Sequence, residues 1–491
     1  MTSTSTLSKL LGNVAPINPG DDVVIEGLAL DSRYVRPGDA FIALRGSAGH
    51  GIEHAANAAA KGARCVLWEP PASMPRLSVP TIRVEHLRQH LGAIADRFYA
   101  QPSRALTVTG VTGTNGKTSF VHLLAQALQG AGTCIATIGT LGTGFPGELR
   151  AGERTTPDVV TVHAQLASFL EAGAQHVAME VSSHALDQGR VDGVRFAYAV
   201  FTNLTRDHLD YHGDMHSYGA AKAQLFATRG LRCAIINADD AFGRELIAGL
   251  PVAQRRLTYG IDGAHAADVQ ARSVELDAGG VRFQLVTPWG TAPVVSSLIG
   301  AFNVSNLLAL AATLGVMGWP LADIVESLAR LQPVPGRMGK LGGDGVLPLV
   351  VIDYAHTPDA LEQALSSVRA HTTGKLHVVF GCGGERDVGK RALMGAVAAN
   401  GADHITITDD NPRGEDGDAI IAAILTGLSA PRLARVERDR ACAIADAVRG
   451  AGANDGVLIA GKGHEAYQET AGVRRPFDDT SVARAALETR A

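Results

Sequence analysis

Short apolar runs of strand length alternate along the chain with longer stretches of helical spacing, and most runs break off in a glycine-rich or charged string. Ala105-Leu106-Thr107-Val108 reads as a strand and the segment from Phe120 to Leu128 as a helix. The segments Cys134 to Ile138, Gln175 to Val181, Ala197 to Asn203 and Ala234 to Ala238 read as further strands. A helix is expected from about Val159 to Glu171, entered through a Thr or Asp cap with a proline in its first turn. Residues 250–300 read as short strands and turns at an antiparallel edge, and a long apolar helix follows from Gly300 through Leu314.

The flanks repeat the pattern. Before residue 105 there are strand candidates at Val23-Val24-Ile25, Gly27 to Leu30, Ala40 to Leu44, Arg64 to Trp68 and Thr81 to Val84, with a helix from His54 to Lys61. After the linker-like Pro333-Val334-Pro335-Gly336-Arg337-Met338, apolar runs at 349–352, 377–380, 405–408 and 456–460 each end in a charged or glycine-rich loop. That is parallel α/β organisation with ligand sites at strand C-termini. The predicted fold class is therefore α/β in three domains, consistent with a length of 491 residues. Residues 1–104 are a small N-terminal α/β domain and residues 105–335 a central phosphate-loop mononucleotide-binding domain with a mostly parallel sheet. Residues 336–491 are a C-terminal Rossmann-like domain.

Composition narrows the class. A formal charge of −5 gives no reason to expect nucleic acid as a partner. The five cysteines are scattered and odd in number, with no Cys-x-x-Cys, which argues against a disulfide framework or a structural zinc site. The first residues lack the basic start and apolar core of a signal peptide, and no apolar run is long enough for a membrane span, so a cytoplasmic chain is expected.

The chemistry gathers at run ends. Thr112-Gly113-Thr114-Asn115-Gly116-Lys117-Thr118-Ser119 lies between strand and helix, where glycines and a helix N-terminus suit a nucleotide phosphate. Lys117 can reach the β/γ-phosphates and Thr118 can hold Mg²⁺, although Val111 stands where the generic pattern has glycine. A ligand-free glycine turn is the alternative. Glu180, a carboxylate at the end of an apolar strand, is expensive there unless paired or bound to metal. Asp207, His208, Asp210 and His212 collect after the next strand, and a Mg²⁺ site fits them better than zinc. Lys222 falls in a mostly apolar helix, where a surface lysine remains open. Asn303 and Asn306 stand one helical turn apart, suited to binding a base, bracing a loop or, for Asn303, capping. In the last domain Arg386 and Arg413 suit a carboxylate and Glu465 an ammonium, which together suggest an amino acid; surface salt bridges are the alternative.

In combination, Thr112 to Thr118, Met179-Glu180-Val181-Ser182-Ser183-His184, Asn203 to Asp210, the Asn303/Asn306 helix, Pro335-Gly336-Arg337-Met338 and Asp353-Tyr354-Ala355-His356-Thr357-Pro358 resemble the ATP-dependent Mur ligases of peptidoglycan synthesis throughout the chain. Asp410-Asn411-Pro412-Arg413 resembles the signature of members that add meso-2,6-diaminopimelate. The resemblance implies ATP-driven amide formation with UDP-N-acetylmuramoyl-L-alanyl-D-glutamate through an acyl phosphate, in a monomer whose domains close over the substrates. L-lysine as the added amino acid is the alternative.

Residue by residue, the resemblance implies phosphate binding by Gly113, Thr114, Asn115, Gly116, Lys117, Thr118 and Ser119, with Asn303, Arg337, Asp353 and His356 meeting the nucleotide. It implies Mg²⁺ at Thr118, Glu180, His208 and a carbamylated Lys222, with Lys117, Glu180, His208 and Lys222 as the catalytic set. Leu30, Ser32, Ser47, Ala48 and Gly49 would lie near the uridine diphosphate, and Arg154, Thr155, Thr156, Ser182, Gln188 and Arg190 along the sugar-peptide. Diaminopimelate would meet Arg386, Asp410, Asn411, Pro412, Arg413, Gly461 and Glu465. Val388 departs from the pattern, where a charged residue is expected. A folyl- or cyanophycin-type ligase, a regulatory phosphate-loop NTPase and a non-catalytic nucleotide-sugar binder are the more distant readings.

Overall fold

The computed structural model describes residues 4–46, 49–73, 75–261, 265–430 and 434–490. The chain forms two compact units, Met1–Thr258 and Tyr259–Ala491. Among the described residues no helix is long and apolar enough to cross a membrane.

The first unit holds two sheets that bear on function. The smaller has four parallel strands in sequence order, Gly27–Ala29, Asp39–Ala43, Cys65–Trp68 and Thr81–Arg83. The apolar side chains Leu28, Ala40, Ile42, Cys65 and Leu67 form a core with helix Leu87–Phe98, whose Leu87, Leu91, Ile94 and Phe98 recur at helical spacing.

The larger sheet of this unit runs Cys233–Asn237, Phe196–Phe201, Thr107–Thr112, His176–Glu180, Ile135–Gly139 and Gly142–Gly144. All neighbours are parallel except the last, an antiparallel edge strand inside the expected glycine-rich excursion. Its central strands read as unbroken apolar runs because helices cover both faces. Thr107–Thr112 lies between His176–Glu180 and Phe196–Phe201. The C-terminal ends of three adjacent strands therefore deliver the phosphate loop, Glu180 and the Thr202–Asn203 turn to one edge. The helix Val159–Glu171 has the expected bounds, with Asp158 accepting from Thr161 N as its cap. Pro157 precedes the cap rather than occupying the first turn.

In the second unit, Val269–Asp277, Gly280–Thr287 and Gly290–Ser296 form an antiparallel meander, longer and more regular than the short strands expected. The helix Ala301–Val316 packs on it and is buried nearly all round, as its uniformly apolar sequence requires. A six-stranded sheet follows in the order Gly339–Gly342, Leu349–Asp353, Gly456–Ala460, Leu376–Phe380, His404–Ile407 and Ala434–Val436. Only its first strand is antiparallel. His371 ties meander to sheet: Nδ1–H donates to Asp277 O (2.5 Å), and Nε2 accepts from Gly300 N (2.8 Å).

Candidate functional site

Val111 is a buried strand residue paired across the sheet with Glu180, so the phosphate loop begins only at Gly113. This explains the mismatch with the generic pattern. Gly113 (φ 150°) is obligatory: a Cβ there would lie 1.9 Å from Thr202 Oγ1. The loop is stapled to the neighbouring strand end. Thr114 N donates to Asn203 O (2.8 Å), Asn115 N to Asn203 Oδ1 (2.9 Å), and Thr202 Oγ1 to Asn115 O (2.6 Å). Helix Lys117–Gly130 starts directly after Gly116. Lys117 Nζ folds back onto the carbonyls of Gly113 and Thr114, 2.8 Å from each.

Glu180 is buried, and its carboxylate is filled with donors. Thr118 Oγ1 donates to Oε2 at 3.0 Å, Thr140 N to Oε1 at 2.7 Å, and Thr140 Oγ1 to Oε2 at 3.2 Å. Lys222, on helix Met215–Ala223, is buried rather than a surface lysine. Its Nζ donates to Gly113 O at 3.0 Å and sits 4.1 Å from the Tyr218 ring centroid. Burial, and then the charge of Lys117, push its amine down to about 6, against a weaker upward pull from Asp207.

Thr156, Ser182, Gln188 and Arg190 are brought into one network. Thr156 Oγ1 donates to Glu180 O (2.8 Å) and accepts from Ser182 N (3.2 Å). Arg190 grips Gln188 Oε1 through Nε (3.0 Å) and Nη2 (2.6 Å), and reaches Thr156 O with Nη1 (3.0 Å). Thr155 Oγ1 lies 3.1 Å from Thr140 Oγ1, while Arg154 is exposed. Leu30 and the buried Ser32 follow Gly27–Ala29, and exposed Gly49 follows the adjacent parallel strand, at the same edge of the small sheet. Ser47 and Ala48 lie outside the described residues. Arg33 does brace its own turn, gripping Asp31.

The strand-end group after Phe201 is not a common ligand set. His208, in the left-handed region (φ 53°), is half exposed and 3.4 Å from Asp207 Oδ2. His212 Nε2 meets Ser183 Oγ at 2.9 Å, and Tyr211 OH donates to Asp187 (2.6 Å). Among the described residues no three His, Cys, Asp or Glu side chains converge to hold a metal ion. Thr118 and Glu180 nonetheless offer adjacent hard oxygen donors of the kind Mg²⁺ takes.

In the second unit, Asn303 does not cap its helix. Gly300 is the cap residue, while Asn303 Nδ2 donates to Ile299 O (2.8 Å) and Oδ1 accepts from Asn306 (2.9 Å). Arg337 lies over the Tyr354 ring (5.5 Å), with its Nε buried and unpartnered. Asp353 accepts from Met338 N (2.9 Å), and burial raises its carboxyl above the usual range. His356 Nδ1 lies 2.8 Å from Tyr354 O.

A second cluster occupies the ends of three parallel strands of the six-stranded sheet. Arg386 is exposed, and a Cβ on Gly383 would lie 3.8 Å from its Cγ and 3.0 Å from Arg413 Nη1. Arg413 Nη1 donates to Gly384 O (2.6 Å); its backbone is left-handed (φ 53°), held by a bond from its N to Glu469 O (3.0 Å). Asp410, Asn411 and Pro412 are buried, and Asn411 Nδ2 donates to Glu465 Oε2 (2.8 Å). Gly461 (φ 116°) leaves room for Asp410, whose Oδ2 a Cβ there would meet at 2.4 Å. Val388 is exposed.

Sequence reasoning missed Thr140, Tyr218 and Lys462. Thr140 sits in an irregular turn and Tyr218 in a nondescript helix, so neither carried a signal. Lys462 stands in Gly461-Lys462-Gly463-His464-Glu465, and a lysine between two glycines at a strand end was the clue available.

Family models match three stretches: "Mur ligase family, catalytic domain" over residues 24–99, "Mur ligase middle domain" over 111–314, and "Mur ligase, glutamate ligase domain" over 336–463. A UDP-N-acetylmuramoyl-L-alanyl-D-glutamate--2,6-diaminopimelate ligase of Xanthomonas campestris pv. campestris is 56% identical over 492 residues, covering 100% of this chain and 99% of the relative. The protein of that name from Pseudomonas aeruginosa is 51% identical, covering 95% and 96%. A solved structure of a ligase of that name aligns with TM-score 0.77 at 37% identity, covering 99% of both chains. An Acinetobacter baumannii UDP-N-acetylmuramoylalanyl-D-glutamyl-2,6-diaminopimelate--D-alanyl-D-alanyl ligase shares the fold with TM-score 0.62 at 22% identity, covering 93% and 95%. With likeness of this extent over its whole length, the chain belongs to the Mur ligase family.

Proposed function

We propose that the chain is an ATP-dependent ligase that joins meso-2,6-diaminopimelate to UDP-N-acetylmuramoyl-L-alanyl-D-glutamate in peptidoglycan synthesis. The γ-carboxylate of the glutamyl residue attacks the γ-phosphorus of ATP; the P–O bond to ADP breaks and an acyl phosphate forms. An amine of diaminopimelate then adds to that carbonyl, loses a proton, and phosphate leaves. Activation is needed because a carboxylate is a poor electrophile at neutral pH.

The observation that carries this reading is Lys222. A simple phosphate-loop NTPase has no need of a second lysine buried against the loop carbonyl that Lys117 uses, with its amine pushed down to about 6. A neutral amine adds to CO₂, forming an N–C bond and releasing a proton, so the side chain becomes an anionic carbamate. Thr118, Glu180, His208 and carbamylated Lys222 would hold Mg²⁺; the Thr118–Glu180 oxygen pair and the readily neutralised lysine support that set. When bound, Mg²⁺ offsets charge on the phosphoryl oxygens. Lys117, leaving its own loop carbonyls, supplies a cation to the same oxygens.

The Thr156–Ser182–Gln188–Arg190 network would orient the sugar-peptide, and Arg386, Arg413 and Glu465 the amino acid, whose carboxylate and ammonium they complement. Leu30, Ser32 and Gly49 would meet the uridine diphosphate. Asn303, Arg337, Asp353 and His356 are assigned to nucleotide on the resemblance. Binding domains are placed at 1–104, 105–335 and 336–491, and a cytoplasmic monomer suits these soluble substrates.

Phosphate release from ATP and the nucleotide-linked dipeptide tests the reading. With meso-diaminopimelate the rate is expected to exceed that with L-lysine by at least about 100-fold, because unpaired polar groups reject an analogue strongly. Equal rates with lysine would overturn the amino-acid assignment; equal rates with neither amino acid would overturn the ligase.

A further inference from the structure

Behind the second cluster lies a chain of buried charges that alternate in sign. Asp479 pairs through both oxygens with Arg440 Nε and Nη2, each 2.7 Å away, and neither side chain has exposed surface. Asp410 is buried and feels both Arg440 and Lys462. Lys462, 0% exposed, donates to Asn411 Oδ1 at 3.0 Å and stands 3.5 Å from Glu465 Oε2. Glu465, at 22%, is the end that opens outward. Burial raises the Asp410 carboxyl above its usual range against the pull of Arg440 and Lys462, which leaves Glu465 as the carboxylate that a cation arriving at the open end would meet.

Asn411 adds an orientation argument. Its Oδ1 accepts from Lys462 Nζ and from Glu469 N (2.9 Å), both of which can only donate. The flipped amide would set NH₂ against two donors, so Nδ2 must face Glu465 Oε2 (2.8 Å). One buried ammonium thereby fixes an amide and one carboxylate oxygen together.

We propose that Lys462 is a positioning residue for amino-acid recognition: it locks Asn411 and Glu465 Oε2 so that the other Glu465 oxygen is presented to the distal ammonium of the diamino acid. The inference rests on the reading that this cluster binds diaminopimelate. Lys462 itself touches no reacting atom. With Lys462 removed, Asn411 can flip and Glu465 can swing, and the ammonium loses an aimed acceptor.

The test uses the full-length enzyme and steady-state phosphate release, comparing wild type with Lys462→Met and Lys462→Gln. The KM for meso-diaminopimelate is expected to rise about 10-fold or more, since hydrogen bonds to charged groups are at stake, with the KM values for ATP and the nucleotide-sugar within about twofold. The 2-aminopimelate analogue, which lacks the distal amine, provides the sharper readout. Its disadvantage relative to diaminopimelate is expected to shrink in both variants, because the aimed acceptor is already lost. Unchanged discrimination between the two amino acids, or a parallel rise in all three KM values, overturns the proposal. So does loss of the folded state in both variants by circular dichroism, which would make Lys462 a folding residue. If wild-type enzyme fails to use diaminopimelate at all, the underlying reading fails instead.

Discussion

The ammonium groups of Lys117 and Lys222 both donate to the carbonyl oxygen of Gly113, at 2.8 and 3.0 Å. Burial first, and then the like charge of Lys117 on the same acceptor, push Lys222 down to about 6. The fold thus builds a lysine that is largely neutral near pH 7 beside a second lysine held on the same loop carbonyl.

Lys222→Met is expected to lower kcat by about 100-fold or more, in the range seen for lost transition-state charge stabilisation, with little change in the KM for ATP. Phosphate-release kinetics check this, and a kcat within a factor of about three of wild type would remove Lys222 from the chemistry.

The protonation of Lys222 gives a pH prediction. Below about 6 the folded-state amine is charged and cannot add CO₂. With ¹³C-bicarbonate, a carbamate NMR signal is expected at about pH 8 and should fade as pH drops through about 6. The stability sign follows. Between about 6 and the ordinary 10.5 the unfolded chain binds a proton that the folded chain does not, so this group makes stability rise with pH across that window. A signal that persists unchanged well below about 6 would refute the assignment.

Arg413→Ala should raise the KM for diaminopimelate by about 10- to 100-fold, the scale of a lost charge-assisted hydrogen bond. The KM values for ATP and nucleotide-sugar should stay near wild type. If the three constants moved together, Arg413 would be a structural residue held in its left-handed turn rather than a carboxylate ligand.

Breaking the buried Arg440–Asp479 pair should cost about 3–5 kcal/mol, because either partner left alone is an uncompensated buried charge. Arg440→Met, followed by urea unfolding, measures it. The double variant Arg440→Met with Asp479→Leu should recover part of the loss; a double variant no better than the single would contradict the pairing argument.

His371 is neutral in the fold, with Nδ1–H on Asp277 O and Nε2 accepting from Gly300 N; burial holds its ring below the ordinary 6.5. Its stabilisation is fully present above 6.5 and lost as pH falls below it, since protonation turns Nε2 into a donor facing a donor. His371→Gln should flatten part of the decline in urea stability between about pH 7 and about pH 5. Identical pH slopes in the two proteins would dismiss the bracket.

Much of this protein was legible in the chain itself. Apolar runs ending in glycine or charge located the parallel strands, because a strand covered on both faces must be apolar throughout and its ligand groups must come at its end. The strand-end places of the 113–119 loop, Glu180, Arg413 and Glu465 were legible this way, and the helix Val159–Glu171 was placed by its cap residue. Local pattern misjudged positions where a partner distant in sequence decides the outcome. Asn303 could be a cap from its position alone, but Gly300 takes that place and the Asn303 amide lies on Ile299 O. Asp207, His208, Asp210 and His212 stand together in sequence, yet His208 pairs with Asp207 while His212 turns to Ser183.

The sequence by itself determined which residue types stand at strand ends, and with them the family and its chemistry, because those features are local and repeat with the period of the backbone. Only the tertiary structure decided which groups share an environment. Lys222 meets Gly113 O, Thr140 meets Glu180, and Lys462 meets Asn411 across long separations in the chain. Burial and the proximity of other charges set protonation and orientation at those meetings, and both are properties of three-dimensional packing that no local pattern encodes.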